Sequence, residues 1–183
     1  MRRITIINGL IDESARDFEQ DLQRSFERSN DLAELETFNI RDMNIKFCCG
    51  CFGCWVRTPG KCVQNDEMPG ILRSVIHSDL TVFVSPVQMG FVNSNIKKVC
   101  DKLIPLVHPY IDIFYGECHH LKRYNTYPKL GLLLFDEEQA YKECHDTITD
   151  IYRRLAINFK TELAFSIMTN GSMEEIEHAI NHF

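Results

Sequence analysis

The chain has 183 residues, enough for one domain that buries a core without disulfide staples. Its formal net charge is −6, with no basic stripe or run of Lys and Arg, which argues against nucleic acid and anionic membrane as partners. Eight cysteines in a sequence with no export signal and no bilayer-length apolar run read as reduced thiols in a cytoplasm, where clustered thiols serve metal or redox chemistry.

The opening MRRITIINGL puts two arginines before apolar residues, but Thr5, Asn8, Asp12 and Glu13 interrupt it too early for a signal sequence. It reads as a buried first strand. Helical spacing of Phe18, Leu22 and Phe26 follows, then a strand over 35–40, a helix over 68–76 and a central strand over 80–84. Ile96, Val99, Cys100 and Leu103 mark the buried face of the next helix. A strand over 130–135, a helix from about 138 to 156, a strand over 163–168 and a helix over 172–182 complete the order. Near-continuous apolar strands alternating with helices predict a five-stranded parallel sheet covered on both faces, a doubly wound α/β/α sandwich spanning 1–183. Residues 109–128 break the rhythm and read either as a lid or interface element or as a partly buried β-excursion.

In a sheet ordered 2-1-3-4-5, ligands bind beyond the carboxyl ends of the strands, where the order reverses. Three loops meet there, at 9–15, 85–94 and 136–139. Gly9, Leu10, Ser14, Ser85, Pro86, Val87, Gln88, Met89, Gly90 and Asp136 are the candidate binding residues.

The second strand leads into a loop at 44–66 with Cys48, Cys51, Cys54 and Cys62 at C-x2-C-x2-C-x7-C spacing. Four thiolates so spaced suit an iron-sulfur cluster, and zinc would accept the same set; the bland alternative is a group of half-buried thiols. Cys49 points the other way in an extended backbone and reads as a packing residue or disulfide partner, while Trp55 anchors the loop. Cys118-His119-His120 and Cys144-His145 carry no further spacing signature, so their histidines read as surface residues. Cys100 behaves as a small hydrophobe. Asp79 and Asp101 read as structural partners, and no Ser/His/Asp set, catalytic carboxylate pair or Walker-type loop occurs.

Together, the stretch from Asn44 to Trp55, Thr58-Pro59-Gly60-Lys61-Cys62, Asp66-Glu67-Met68, Ser85-Pro86-Val87 and Asp101-Lys102-Leu103-Ile104-Pro105 resemble the flavodoxin-like NAD(P)H-dependent FMN reductases, in particular the branch with iron-sulfur flavoproteins. The resemblance covers about the first 105 residues. It implies bound FMN, a reduced nicotinamide donor, a small-molecule or protein electron acceptor, assembly as homodimer or homotetramer, and in some members a four-iron four-sulfur cluster on the four cysteines.

Two departures from the family pattern bear on the cofactor. Where relatives hold the FMN phosphate at a helix N-terminus with a hydroxyl-rich loop, this chain has Gly9-Leu10-Ile11-Asp12-Glu13-Ser14-Ala15-Arg16, with Ser14 as its one hydroxyl. At about 5 Å and an effective dielectric of about 20, each carboxylate would repel a phosphate charge by roughly 3 kcal/mol. A helix N-terminus returns about 1 to 2 kcal/mol. Plain capping of the helix by its acidic first turn is the alternative. The second departure is Gln88-Met89-Gly90 after Ser-Pro-Val, where an aromatic is usual. The leading expectation is an FMN-dependent oxidoreductase whose catalysis needs no dedicated acid-base side chain. Its rivals are a flavin-free metal or thiol redox protein and a cofactor-less dimeric binding module on the same scaffold.

Overall fold

Ile4, Ile6 and Ile7 are sealed from solvent, and a strand buried on both faces is what such a run dictates. In the computed structural model, which describes residues 2–11, 16–28, 32–139 and 141–182, they lie on β1 (Arg2–Asn8). β1 is flanked in parallel by β2 (Leu32–Asn39) and β3 (Leu80–Gln88). β3 pairs with β7 (Lys129–Phe135), and β7 with β8 (Leu163–Thr169), again in parallel. The path β2-β1-β3-β7-β8 is the expected 2-1-3-4-5 order of a flavodoxin-like fold. Gly131 on β7 stands where a Cβ would come within 2.5 Å of the Phe165 ring, so the missing side chain lets β8 pack its aromatic against the sheet.

Helices cover both faces. α1 (Arg16–Glu27) buries Phe18, Leu22 and Phe26 on one face, together with Ile176 and Ile180 of α6 (Glu174–His182). On the other face lie α3 (Met68–His77), α4 (Ser94–Asp101) and α5 (His145–Asn158). Each fully buried Leu, Ile or Phe contributes about 1.5 to 3 kcal/mol by leaving water, and these two layers fix which strand ends lie together.

Several boundaries differ from the sequence reading. The second strand starts at Leu32 and stops before Ile40, which opens a short 3-10 turn. α5 starts at His145, not near 138, because Gln139 takes a positive φ of 52° and the Asp136 carboxylate accepts the Tyr141 amide, holding a turn where a helix was expected. The closing helix starts at Glu174, after Gly171 at φ 117°. Residues 85–94 are not a plain loop either. β3 runs on to Gln88 and folds back through Met89 and Gly90 into β4 (Phe91–Val92), with positive φ at both turn residues as a primed two-residue hairpin requires.

The stretch 109–128 is largely a second hairpin, so the β-excursion reading describes its backbone. β5 (Val107–Phe114) and β6 (Glu117–Lys122) pair antiparallel through Tyr115 and Gly116, at φ 52° and 80°. Tyr in the first turn position hides the usual Asn-Gly signal. His119 is buried there beside Glu117, and His120 lies tilted against Trp55 with ring centroids 4.9 Å apart, so neither is the free surface histidine expected.

Candidate functional site

The carboxyl ends of β1, β3 and β7 lie side by side, and the hydrogen bonds there begin with Asn8. Its buried amide donates to Glu19 at 2.8 Å and to Asn39 at 2.9 Å, while its oxygen accepts the Leu10 amide at 3.1 Å. The Gly9 amide donates to Val84 O at 2.8 Å. A Cβ on Gly9 would fall 2.4 Å from Ile96 and 3.0 Å from the Asn93 oxygen, so only glycine lets β1 leave the sheet against α4.

Asn93 ties the two loops together. Its oxygen caps α4 by accepting the Ile96 amide, its amide group donates to Gly9 O at 2.6 Å, and its backbone N–H donates to Ser85 Oγ at 2.9 Å. Arg41 closes the far side, donating to Leu10 O at 3.0 Å and pairing with Glu19. Burial pushes the Glu19 carboxyl up, but hydrogen bonds from Arg41 and Asn8 outweigh it and hold the group below the usual range.

Of the residues predicted from sequence, Gly9, Leu10 and Ser85 are therefore joined in one network, with Leu10 and Ser85 turned inward. Pro86 lies opposite Phe135 in the sheet, which brings Asp136 beside the buried Val87. The Asp136 amide donates to Thr169 O at 2.9 Å. Gln88 and Met89 face solvent, Met89 with 95% of its surface open, and half-buried Gly90 completes the tip. Ser14, Asp12 and Glu13 lie outside the described residues. Sequence reasoning missed Asn93, Asn8, Glu19 and Arg41; Asn93 was recoverable, because Asn before an apolar helical period is an N-cap signal.

The cysteine loop rises from the same edge as the crevice and then packs along α4 toward its other end. α2 (Gly53–Val56) is one turn long, and Trp55 on it donates to Ile104 O and Val107 O at 3.2 and 3.0 Å, so the indole does anchor the loop. Cys48, Cys51, Cys54 and Cys62 line one small cavity of about 30 Å³ together with Phe52 and Val63. Cys54 is buried at its base, and its thiol is pushed up by burial and by the neighbouring Cys62, Cys48 and Cys51. Cys51 is drawn the other way, by the Gly53 amide and the Cys49 thiol. Cys49 is exposed and free, with its thiol beside Cys51, and is neither packed nor in a disulfide. Among the described residues, no three side chains of Cys, His, Asp or Glu form a group that could hold a metal ion.

Beneath this cavity Lys102 and Asp66 form an ion pair whose side chains are both sealed from solvent, and Lys102 also donates to Gln64 Oε1 at 2.9 Å. The Asp66 carboxylate further accepts the Lys46 and Met68 amides at 3.0 and 3.2 Å. Burial raises its pKa, and these donors, Lys102 first, bring it below the ordinary value. Cys100 on α4 lies 3.4 Å from the Tyr152 hydroxyl, and burial pushes its thiol up to about 12, as suits a packing cysteine. Asp79 accepts the Arg3 amide at 2.8 Å and Asp101 pairs with Lys97 at 2.5 Å, both structural. No helix among the described residues is long and apolar enough to cross a membrane.

The sequence matches no family model and no curated protein. Solved structures do match in shape. An azoreductase from Bacillus anthracis str. Sterne superposes with a TM-score of 0.67 at 11% identity over all of both chains. An FMN-dependent NADH-azoreductase from Bacillus anthracis str. Ames Ancestor, solved in complex with FMN, gives 0.63 at 13% identity over 99% of this chain and 94% of its own. The NAD(P)H:quinone oxidoreductase from Methanothermobacter marburgensis gives 0.62 at 10% identity over 99% and 98%. At these identities the likeness is one of fold.

Proposed function

We propose that the chain is an FMN-dependent oxidoreductase that takes electrons from a reduced nicotinamide and passes them to a small-molecule or protein acceptor. The observation that carries this reading is the gathering of Gly9, Ser85 to Gly90 and Asp136 at the switch point of a 2-1-3-4-5 sheet, on a fold whose solved neighbours include an azoreductase bound to FMN. The described rim suits a flavin at the ring end. The tip at Met89 and Gly90 stands clear of the sheet, one residue offering an exposed thioether and the other no side chain at all. The phosphate end would fall on Ser14 and its neighbours, outside the described residues. When bound, FMN supplies hydride acceptance and both one- and two-electron chemistry, so the polypeptide's part is to bind and orient. Asn93 holds the β1 loop against the β3 hairpin, Arg41 and Glu19 brace it from the far side, and Gln88 and Met89 would meet the ligand.

The same reading places the enzyme in a cytoplasm as a homodimer or homotetramer, with neither nucleic acid nor membrane as partner. The donor chemistry of Cys48, Cys51, Cys54 and Cys62 suits a four-iron four-sulfur cluster, and the four thiols share one cavity. The side chains do not converge into a metal-holding group, so no electron step is derived through that cavity.

The test is an anaerobic preparation analysed for released FMN, iron and acid-labile sulfide per chain, followed by titration with NADH and with NADPH. One FMN per chain, bleached by either donor, is the expected result. A protein that stays colourless in excess FMN ends the proposal, and iron without flavin would favour the flavin-free redox reading instead.

A further inference from the structure

Large apolar side chains are exposed around the mouth of the cysteine cavity, where a monomeric surface would be expected to hide them. Phe47, Phe52, Val56 and Val63 leave 69, 53, 79 and 42% of their surface open. All four lie on the cysteine loop. Phe52 and Val63 line the cavity mouth, Val56 follows on the same turn with its amide on Phe52 O, and Gln64 next to Val63 donates to Phe47 O at 3.2 Å. Single exposed hydrophobes are ordinary on a protein surface, but four on one short loop, two of them lining its cavity, mark an interaction surface.

The charges carried by the loop itself have one sign, and the exposed Glu67 carboxylate accepts the Asn44 amide at its base. Between Met43 and Asn65 the chain carries Lys46, Arg57 and Lys61 and no acidic residue, inside a protein whose net charge is −6. All three are exposed. Arg57 is close enough to lower the pKa of Cys51, and Lys98 of α4 sits 5.7 Å above the Phe47 ring. The nearby carboxylate of Asp66 is sealed away on Lys102 and adds little negative field outside. An apolar centre with a cationic rim complements a partner with an apolar centre and an anionic rim. A second copy of this chain, acidic overall and basic here, would bring two cationic rims together if it docked through the same face, as a twofold dimer must.

We infer that the cysteine loop is the docking face for an acidic protein, an electron carrier if the oxidoreductase reading holds. The small size of the patch fits a transient encounter, since redox partners meet over small interfaces, steered by charge. α4 is eight residues long, about 12 Å of helical rise, and it runs from this face toward the crevice rim at Asn93. A docked partner is therefore close to the strand ends without covering them.

The probe is a plant-type ferredoxin, a small acidic electron carrier, with the basic carrier cytochrome c as its counterpart, each titrated against the full chain by surface plasmon resonance. Ferredoxin should bind and cytochrome c should not. Raising the salt from about 25 to about 250 mM should weaken the complex at least tenfold. The triple variant K46E/R57E/K61E should weaken it by about tenfold or more, and Val56→Asn, which adds no charge, should weaken it without changing the salt dependence. Arg24→Glu, on α1 across the sheet, should leave it unchanged. Circular dichroism of each variant reports on folding. Loss of ferredoxin binding in a folded triple variant supports the inference. It is overturned if ferredoxin fails to bind, if the triple variant binds as well as the parent, or if sedimentation shows a dimer that Val56→Asn dissociates. Binding is read without flavin turnover, so failure here leaves the cofactor test above untouched, and failure of that test leaves this one standing.

Discussion

Helix α4 is held at its two ends in contrasting ways. At the N-terminus Asn93 makes neutral hydrogen bonds to Ile96, Gly9 and Ser85. Just past the C-terminus the Lys102 ammonium reaches Asp66 and Gln64 with both charged side chains sealed from water. The neutral end joins the two strand loops that shape the crevice; the charged end pins the cysteine loop and carries the cavity above it. Neutral bonds each contribute about 1 kcal/mol, whereas a buried ion pair contributes little net stability while intact and costs several kcal/mol when one member is lost. The cysteine loop therefore depends on a contact that fails sharply, and the crevice on one that fails gradually.

Breaking the charged end should give the largest effect. Asp66→Asn leaves the Lys102 cation buried without its counter-ion, and urea unfolding should show a loss of about 3 to 5 kcal/mol. Lys102→Met in the same chain should recover most of it, because the uncompensated charge goes too. A loss that persists in the double variant would mean that the Lys46 and Met68 amides, which also bond Asp66, matter more than the pair.

At the neutral end, Asn93→Ala removes the α4 cap and the tie to Gly9, with an expected loss of about 2 kcal/mol. Under the proposed function it should also weaken FMN binding, measured by flavin fluorescence quenching. An unchanged flavin affinity with the stability loss intact would separate the network from the cofactor.

The sheet was legible from sequence because burial on both faces demands apolar runs such as 4–7 and 80–84, and runs that short, bounded by polar turns, suit a strand better than a helix. The hairpin turns were not, since Tyr115 and Met89 occupy positive-φ positions where Asn or Gly is the usual marker. Gly9 and Ser85 lie at the strand ends where fold position puts them. Asp66 and Lys102 lay inside family-like motifs but carried no signal of pairing: they are 36 residues apart, and only packing of the cysteine loop on α4 unites them. The cysteine spacing gave the shared cavity, yet spacing cannot show whether thiols converge; that depends on backbone angles such as the αL conformation of Phe52.

A smaller effect is expected where the loop meets the C-terminal side of α4. Trp55→Phe keeps an aromatic ring against His120 but removes the donor to Ile104 O and Val107 O. Arg123 still donates to Val107 O, so the expected loss is about 1 kcal/mol. Limited proteolysis should cut the loop faster in this variant than in the parent, with little change at the crevice.

The smallest signal is a pH slope that belongs to the crevice. The Glu19 carboxyl is held below its ordinary value of 4.5 by Arg41 and Asn8 against the opposing effect of burial. A depressed folded-state pKa means that the unfolded chain binds the proton first, so this stabilisation is fully present above about 4.5 and is lost as pH falls through the lower folded value. Asp66, also depressed, contributes to the same acid limb, which makes the comparison with Glu19→Gln necessary. Urea midpoints of parent and Glu19→Gln should differ most near neutrality and converge as the pH drops below 4.5. Parallel midpoints down to the acid limit would assign the slope to Asp66, and so to the charged end of α4.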